Sequence, residues 1–420
     1  MTPRALGVAC LLVGCQSPAP PEVERAALEL CPADEVDTGA LPPLPATAPL
    51  PPRTPAAMCG AGGGCLWQDS DDVFGTTVAR VDSWWVHEGF IYRGRDRVRL
   101  RGLSWFGFET NDVAPHGLWK GRSVEEHLDQ MIELGFDALR LPLSPEAFRQ
   151  GFVLPEWAQT PDIETADQLL AHILDEAERR EMRVLLDLHT CGHGLTAPGS
   201  PTACGGYTIS SWLDDLRILA RLAADHPNVV GIDLFNEPDA LLWGEWADLA
   251  STGARAVLEE NPRMLVFVQG AGAGSAGAAY DAIPGESLVH ALAYPPDIPT
   301  SRLVYAPHVY GPGANAANYL ESTQYPAVLR HVWDLRFGRV FAAGQGLVIG
   351  ELGGHYDDTI AAGSVDWQDR LVDWMLARGV DSFFYWAWNP NSDKTGGILE
   401  DDWATPVAAK LALLAPLLAD

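Results

Sequence analysis

Positively charged residues are scarce in this chain. Its 420 residues include 28 Lys and Arg against 56 Asp and Glu, which gives a formal net charge of −28 at pH 7. Nucleic acids and anionic membrane surfaces are bound through basic patches, so the charge balance argues against both as partners. A neutral polymer such as a polysaccharide remains compatible with it.

Several familiar signatures are also missing. No serine lies in a Gly-x-Ser-x-Gly turn, so the nucleophile of an α/β-hydrolase is not indicated. No glycine loop has the context of a phosphate-binding or dinucleotide site, and we expect no cofactor. The apolar run over residues 5–13 has nine residues, too few to cross a bilayer, which takes about 20.

The N-terminal segment has the features of an export signal. Arg4 precedes the apolar run, and Leu12-Val-Gly-Cys15 resembles the lipobox of bacterial lipoproteins. We expect residues 1–14 to be removed and Cys15 to carry a lipid, as the only contact with a membrane; an ordinary signal peptide is the alternative. The predicted location is the bacterial cell envelope or outer surface, or, on the alternative, the medium.

Residues 15–75 are predicted to form a proline-rich tether and a poorly defined segment. Proline and alanine dominate much of this stretch, and such a composition cannot bury a core. Cys191 and Cys204 bracket a single loop rich in Gly, Pro and Ser, so we expect them to pair in an oxidising compartment. Cys59 and Cys65 are a second candidate pair, and the state of Cys31 stays open.

From about residue 76 onward, short apolar runs alternate with amphipathic helical patterns. This alternation is typical of βα units around a parallel sheet. Eight units over residues 76–420 predict an α/β fold, a single (β/α)8 barrel, and we expect a monomer. The predicted strands are residues 98–103, 138–141, 184–188, 230–235, 265–268, 303–306, 347–350 and 382–386.

Sequence patterns also predict how some helices begin and how the barrel is closed. Ser123-Val-Glu-Glu126 and Thr165-Ala-Asp-Gln168 are capping boxes ahead of apolar residues at helical spacing. Ser211 is predicted to cap a further helix. The segment with Trp84-Trp85-Val86 is expected to form a small hairpin that closes the barrel floor.

Two glutamates stand at the ends of predicted strands. Glu237 ends the run that begins at Val229, and Glu351 ends the run that begins at Leu347. In barrel enzymes, the loops at the C-terminal ends of the strands hold the chemistry. Two carboxylates delivered to that face are the minimum apparatus for cleaving a glycosidic bond.

Other polar residues also end predicted strands. Arg140 lies within an apolar strand and should pair with a carboxylate, either as a structural ion pair or to stabilise the ionised form of Glu351. Asn236 either binds a sugar hydroxyl or caps a turn. His189, His308 and Tyr310 are further candidates. Isolated histidines are more often structural residues or metal ligands, but metal-ligand spacing is absent apart from a loose His189-x-x-x-His193, and we expect no metal.

The chain has fifteen tryptophans, and aromatic faces are surfaces on which sugar rings stack. Trp386 ends the eighth predicted strand and is expected to form the floor of a binding site. Trp105, Trp119 and Trp212 are further candidates for substrate binding, with core packing as the alternative for each.

Taken together, these residues resemble the pattern of glycoside hydrolase family 5. In that family an Arg lies on strand 2, a His follows strand 3, Asn-Glu follows strand 4, His-x-Tyr follows strand 6, Glu follows strand 7 and Trp follows strand 8. All eight are matched in order here, by Arg140, His189, Asn236, Glu237, His308, Tyr310, Glu351 and Trp386.

Longer stretches are similar to the bacterial endo-β-1,4-glucanase branch of the family. They are Arg101–Thr110, His116–Trp119, and Trp386–Pro390 together with Thr395–Trp403. The resemblance implies a retaining hydrolase of cellulose or mixed-linkage β-glucan. In it Glu351 would be the nucleophile, Glu237 the acid/base, and His116 and Trp119 would bind substrate.

One departure from the family pattern is Asn111, where some close relatives carry a cysteine that links this loop to the loop after strand 3. Three alternative functions stay open at this point. They are a β-mannanase or other β-glycanase of the same fold, a catalytically silent glycan-binding protein at the cell surface, and a metal-dependent barrel hydrolase.

Overall fold

The computed structural model describes residues 83–195, 199–201, 203–239, 241–272, 284–314 and 318–419. The predicted signal segment, the tether and the cysteines at positions 15, 31, 59 and 65 lie outside these residues. Among the described residues, no helix is both long and apolar enough to cross a membrane.

The strands form a small sheet and a large one. Three strands make an antiparallel sheet, and ten make a parallel sheet. The strands are β1 Trp84–His87, β2 Phe90–Arg93, β3 Asp96–Val98, β4 Arg101–Ser104, β5 Ala138–Leu143, β6 Arg183–Leu188, β7 Val229–Asp233, β8 Leu265–Val268, β9 Leu303–Tyr305, β10 His308–Tyr310, β11 Gly346–Leu347, β12 Ile349–Gly353 and β13 Phe383–Tyr385.

The parallel sheet closes on itself as an eight-stranded barrel. Strands β4 to β8 pair in chain order, and β9 continues from β8. The sixth barrel strand is β9 with β10, interrupted around Pro307, which has no N–H to donate. The seventh is β11 with β12. Because β9 pairs with β11, β10 with β12, and β13 with both β12 and β4, the ring is complete. The predicted (β/α)8 barrel is confirmed.

Helices fill the connections between strands and pack around the barrel. They are α1 Val124–Glu133, α2 Pro145–Phe148, α3 Ala166–Arg179, α4 Ile209–Leu222, α5 Trp243–Glu260, α6 Leu329–Trp333, α7 Arg339–Ala342, α8 Ser364–Arg378 and α9 Ala408–Leu418. Short 3-10 turns occupy Leu118–Lys120, Glu156–Ala158 and Asn318–Glu321, and a π-helical turn occupies Asp334–Gly338.

Helix starts follow the predicted caps in two cases and depart from them in one. The Ser123 hydroxyl accepts the Glu126 N–H, and the Glu126 carboxylate accepts the Ser123 N–H. Gln168 Oε1 likewise accepts the Thr165 N–H at 3.1 Å. The prediction for Ser211 is wrong: α4 begins two residues earlier because the Thr208 hydroxyl accepts the Ser211 N–H and acts as the cap.

The antiparallel sheet closes the floor of the barrel, as predicted. The backbone N–H of Trp84 donates to Arg263 O just before β8, and that of Val86 to Ser301 O just before β9. Trp84 and Val86 pack into the inner core of the barrel with residues such as Phe267. One boundary was wrong: Val98 pairs with Ile91 in this sheet, so the first barrel strand begins only at Arg101.

Candidate active site

Glu351 lies within the barrel sheet, at the C-terminal end of the seventh strand. It is paired in register with His308 on the sixth strand. The residue is only 3% exposed, and both of its carboxylate oxygens accept hydrogen bonds, Oε1 from the Arg140 guanidinium and Oε2 from the Tyr310 hydroxyl. Both oxygens of Glu351 are thus held by hydrogen-bond donors, and the donor to Oε1 is positively charged.

Glu237 follows the fourth strand in a turn with a left-handed backbone, φ 47°. A residue other than glycine is strained in that region and needs support from its surroundings. The support comes from Gln269, whose Oε1 accepts the Glu237 N–H at 2.7 Å and whose Nε2 donates to Asp233 at 2.7 Å. From this turn the Glu237 carboxylate reaches His308 on the sixth strand.

The two glutamates lie close together and share a histidine. His308 Nδ1 is 3.0 Å from Glu237 Oε1 and 3.4 Å from Glu351 Oε2. One oxygen of each carboxylate and one nitrogen of His308 all lie within 4.8 Å of one another. Retaining glycosidases place their carboxyl groups about 5–5.5 Å apart, whereas inverting enzymes leave about 6.5–9.5 Å for a water. The spacing therefore fits a retaining pair.

The surroundings of Glu237 and His308 set the protonation states of these two groups beside Glu351. Burial, together with the charge of Glu351, raises the pKa of Glu237 to about 8. Burial and the positive charges of Arg140 and His189 hold the pKa of His308 well below its usual value, so this ring is neutral. At neutral pH the site therefore contains a protonated Glu237 beside a Glu351 whose oxygens accept two hydrogen bonds.

The raised pKa of Glu237 predicts the alkaline limit of activity. A general acid works only while it is protonated, so kcat/KM on a glucan should fall as pH rises through about 8. The measurement is kcat/KM between pH 5 and 10 on a soluble glucan and on an aryl cellobioside whose leaving group needs no protonation. The alkaline fall of kcat/KM should be present for the glucan and weak for the aryl substrate. An equally deep alkaline fall of kcat/KM on both substrates would contradict the role of Glu237 as the general acid.

Arg140 is fully buried and lies at the centre of a charged network. Its Nη2 is 2.8 Å from Asp187 and 3.6 Å from Asp233, and donates to Asn236 Oδ1 at 3.1 Å. The predicted carboxylate partner is confirmed, but there are three such partners, including Glu351. Asp187 and Asp233 were not identified from the sequence. Each is a charged residue within an apolar strand, which is the pattern by which Arg140 was identified.

His189 is part of the same network. Its Nδ1 lies 2.6 Å from Asp187, and its Nε2 lies 3.4 Å from Asn236 Nδ2. Burial alone would lower the pKa of His189, but the charge and hydrogen bond of Asp187 raise it to about 9. Glu109, which was also missed, is buried nearby; its burial raises its pKa, and His189 opposes that rise.

Trp386 forms one wall of the site. Its ring stacks against Phe106 with centroids 5.4 Å apart and against His189 at 5.8 Å. Its Nε1 donates to the Ser392 hydroxyl at 3.1 Å. It borders a cavity of about 300 Å³ that is also lined by His189, Asn236, Glu237, Tyr310, Ala314, Glu351, Ser392, Asp393, Lys394 and Thr395.

The structure thus brings eight predicted residues together and adds a loop that was missed. The eight are those matched to the family pattern; His308 and Arg140 reach the cavity through the glutamates they contact. Residues 392–395 follow the eighth strand and line the cavity. Only the similarity of the neighbouring Thr395-Gly-Gly stretch to known glucanases pointed toward this loop.

His116 and Trp119 lie beside the cavity rather than in its lining. His116 is 3.1 Å from Asn391 and packs against Phe106, which stacks on Trp386. The partly exposed Trp119 packs against His116 and Trp157. Their predicted contact with substrate stays a prediction.

The prediction that Trp105 and Trp212 bind substrate is wrong. Both side chains are 0% exposed. Trp105 Nε1 donates to His116 O at 2.8 Å, and Trp212 Nε1 donates to Leu234 O at 2.9 Å. Both indoles are enclosed by the surrounding protein, so neither ring can reach a saccharide.

The loop after the third strand carries the predicted disulfide. Cys191 and Cys204 are bonded, with Cα atoms 6.3 Å apart. Asn111 lies against Gly194 in this loop, and the Gly194 N–H donates to Glu109 O at 2.9 Å. The loops after the first and third strands are therefore joined by a close contact at Asn111 and a backbone hydrogen bond.

Among the described residues, two clusters have the spacing to hold a metal ion. One is Glu237, His308 and Glu351, the pair described above with its shared histidine; the other is Glu125, His172 and Glu176 on the outer helices. In the outer cluster, Glu176 already pairs with Arg179 and Arg180. The expectation of no metal stays a prediction.

Comparison with known proteins extends over most of the chain. The family model of Cellulase (glycosyl hydrolase family 5) matches residues 96–392. Over 333 residues, 76% of this chain and 68% of the relative, the sequence is 37% identical to the major extracellular endoglucanase of Xanthomonas campestris pv. campestris. It is 33% identical to an endoglucanase of Paenibacillus polymyxa over 73% of this chain and 79% of that protein.

Solved structures give the same result. An endocellulase from Pyrococcus horikoshii, in a complex structure with cellotetraose, superposes with a TM-score of 0.75 at 32% identity. The match covers 80% of this chain and 98% of that chain. The catalytic domain of the Xanthomonas campestris enzyme superposes with a TM-score of 0.71 at 36% identity, covering 77% and 95% of the two chains.

Proposed function

The chain belongs to glycosyl hydrolase family 5, the cellulase family, and we propose that Glu351 and Glu237 carry out a retaining hydrolysis of β-1,4-glucosidic bonds inside glucan chains. The observation that carries this proposal is the pair of carboxylates within 4.8 Å of each other in contrasting environments. One accepts hydrogen bonds from Arg140 and Tyr310, and the other holds a proton at neutral pH.

In the first step, Glu351 attacks the anomeric carbon and a carboxylate–sugar bond forms. The glycosidic bond breaks, and the proton on Glu237 passes to the departing oxygen of the next sugar. Arg140 and Tyr310 hold the nucleophile in place. As Glu351 loses its negative charge, the electrostatic cause of the raised pKa of Glu237 is reduced.

In the second step, Glu237 acts as a base. It takes a proton from a water whose oxygen attacks the anomeric carbon, and the bond to Glu351 breaks. The sugar leaves with the configuration it had in the polymer, and both glutamates return to their starting protonation states. Asn236 lines the cavity, and its Oδ1 accepts a hydrogen bond from Arg140. Its amide N–H groups are therefore the part of the side chain suited to bind the sugar 2-hydroxyl.

The proposed substrate is an uncharged β-glucan, either cellulose or a mixed-linkage glucan. Supporting observations are the endoglucanase relatives, the cellotetraose complex of the Pyrococcus horikoshii enzyme, and the indole of Trp386, which lines the same cavity as the two glutamates. The net charge of −28 disfavours polyanionic substrates.

The experiment incubates the purified protein with hydroxyethylcellulose, which is uncharged, mixed-linkage β-glucan, mannan and xylan, and follows viscosity and reducing ends together. An endo-acting glucanase should lower viscosity early on the first two while few reducing ends appear. EDTA should leave the rate unchanged if no metal takes part. Cleavage of mannan alone would replace the substrate assignment, and silence on all four would overturn the hydrolase assignment for these substrates.

We propose that the enzyme is exported and held at the cell envelope by a lipid on Cys15, with residues 15–75 as the spacer. A relative described as extracellular supports the export, and the lipobox-like sequence supports the anchor. Cys15→Ala expressed in a bacterial host should move the activity from the membrane fraction to the soluble fractions, with kcat unchanged. An unchanged distribution between these fractions would contradict the anchor.

A further inference from the structure

A buried lysine on the last helix has a role that the mechanism above does not use. Lys410 on α9 is one of only three lysines in the chain and is 3% exposed. Burying an ammonium group away from water is costly unless its protons are bound. Burial lowers the pKa of Lys410 to about 8, so the side chain still carries its charge at neutral pH.

The donors of Lys410 bind one loop. Nζ donates to Thr395 O at 2.8 Å and to Gly397 O at 2.9 Å, and it lies 5.5 Å from the centre of the Tyr385 ring. Thr395 and Gly397 belong to the loop that follows the eighth barrel strand. Hydrogen bonds from a charged donor are stronger than those between neutral groups, so this contact fixes the loop against α9.

A chain of hydrogen bonds leads from this anchor to the wall of the cavity. The Thr395 and Ser392 hydroxyls are 2.7 Å apart, and Gly396 N–H donates to Ser392 O at 2.7 Å. The Ser392 hydroxyl in turn accepts Trp386 Nε1 at 3.1 Å. Every link from Lys410 to the indole of Trp386 is therefore a direct hydrogen bond or part of one tight turn.

The loop acts both as a wall and as a support. Residues 392–395 line the cavity, and Ser392 holds the edge of the Trp386 ring, whose plane is nearly parallel to the rings of Phe106 and His189. A second tether exists, because His355 Nε2 lies 3.2 Å from Asp393 O. Loss of Lys410 should therefore displace the loop rather than unfold it.

We propose that Lys410 is a positioning residue for saccharide binding: through Thr395 and Ser392 it sets the plane of Trp386 and the wall formed by residues 392–395. This inference rests on the proposed function, since it takes a glucan as the occupant of the cavity. The residue touches neither the glutamates nor the cavity itself, so its effect should fall on binding more than on bond cleavage.

The test is the Kd of cellotetraose, measured by calorimetry in a Glu351→Gln background, so that no hydrolysis occurs. Lys410→Met keeps the aliphatic stem and removes the donors; it should weaken binding about 10-fold, because the wall and Trp386 lose their fixed position. In the active enzyme, KM should rise similarly while kcat changes less than about 3-fold. Lys410→Gln keeps an amide donor, so its Kd for cellotetraose should lie between those of Lys410→Met and the parent. It also provides a variant to test if Lys410→Met does not fold.

Leu414→Ala is the matched control. Leu414 lies on the same helix, is fully buried and donates nothing to the loop, so its truncation should lower the melting temperature without changing the Kd. Equal Kd values for the parent and the Lys410 variants would overturn the inference, as would a loss of affinity in Leu414→Ala that equals theirs.

A double-mutant cycle tests the route through Ser392. Ser392→Ala alone should weaken cellotetraose binding, and adding it to Lys410→Met should cost little more, because both break the same chain. Fully additive losses would show that Lys410 does not act through Ser392. If the parent protein with Glu351→Gln failed to bind cellotetraose at all, the proposed function would fail first, and the two failures are therefore distinguishable.

Discussion

Replacing Glu351 by glutamine is expected to lower kcat on β-1,4-glucan by about 10⁴-fold or more, the scale seen when a covalent nucleophile is removed. Glutamine has nearly the same shape but cannot form the glycosyl ester. The carboxylate normally accepts hydrogen bonds from Arg140 and Tyr310. Arg140 keeps Asp187 and Asp233 as partners in the variant, so the fold should survive.

The controls for this variant are binding and stability. The Kd of cellotetraose for the variant should lie within a few-fold of the Kd of a non-hydrolysable analogue for the parent enzyme. The melting curve of the variant should remain cooperative. A variant that folds, binds and still turns over near the parental rate would show that Glu351 is not the nucleophile.

Replacing Glu237 by glutamine is expected to lower kcat/KM on a glucan by roughly 10²–10⁴-fold, the usual contribution of general acid–base catalysis. The loss should depend on the leaving group. A sugar alkoxide needs the proton of Glu237, whereas a dinitrophenolate leaves without it, so formation of the glycosyl-enzyme from dinitrophenyl β-cellobioside should be nearly unaffected.

Two further observations check this role. The glycosyl-enzyme should accumulate in Glu237→Gln, visible as a burst of dinitrophenol, because the base for the second step is also missing. The alkaline fall of kcat/KM near pH 8 should disappear with the group that causes it. Equal losses on both substrates, without a burst, would contradict an acid/base role for Glu237.

The barrel and the central pair of glutamates could be predicted because both depend on local patterns. Buried parallel strands read as short apolar runs, and a polar residue that ends such a run stands at the C-terminal rim. The network around Arg140 was only partly predictable. That Asp187 and Asp233 both reach the same guanidinium depends on the register between strands, which no single segment specifies.

The errors at Trp105, Trp212 and Val98 share a physical cause, since each depends on the tertiary neighbours of a residue rather than on the residue itself. Trp105 and Trp212 have the same chemistry as Trp386, yet their N–H groups bind backbone carbonyls of elements that enclose them. Val98 belongs to an apolar run but pairs with Ile91 in the floor sheet. The contact of Lys410 with the loop that supports Trp386 joins a helix to a loop that sequence patterns alone could not bring together.

The central claim is that Glu351 forms a covalent bond to the sugar, and labelling tests it most directly. The protein is treated with dinitrophenyl 2-deoxy-2-fluoro-β-cellobioside, which forms the intermediate and slows its hydrolysis, and is then digested for mass spectrometry. We expect one fluorocellobiosyl group, attached at Glu351, with inactivation in step with labelling. A label on another residue, or full turnover of glucan by protein that never becomes labelled, would contradict the account.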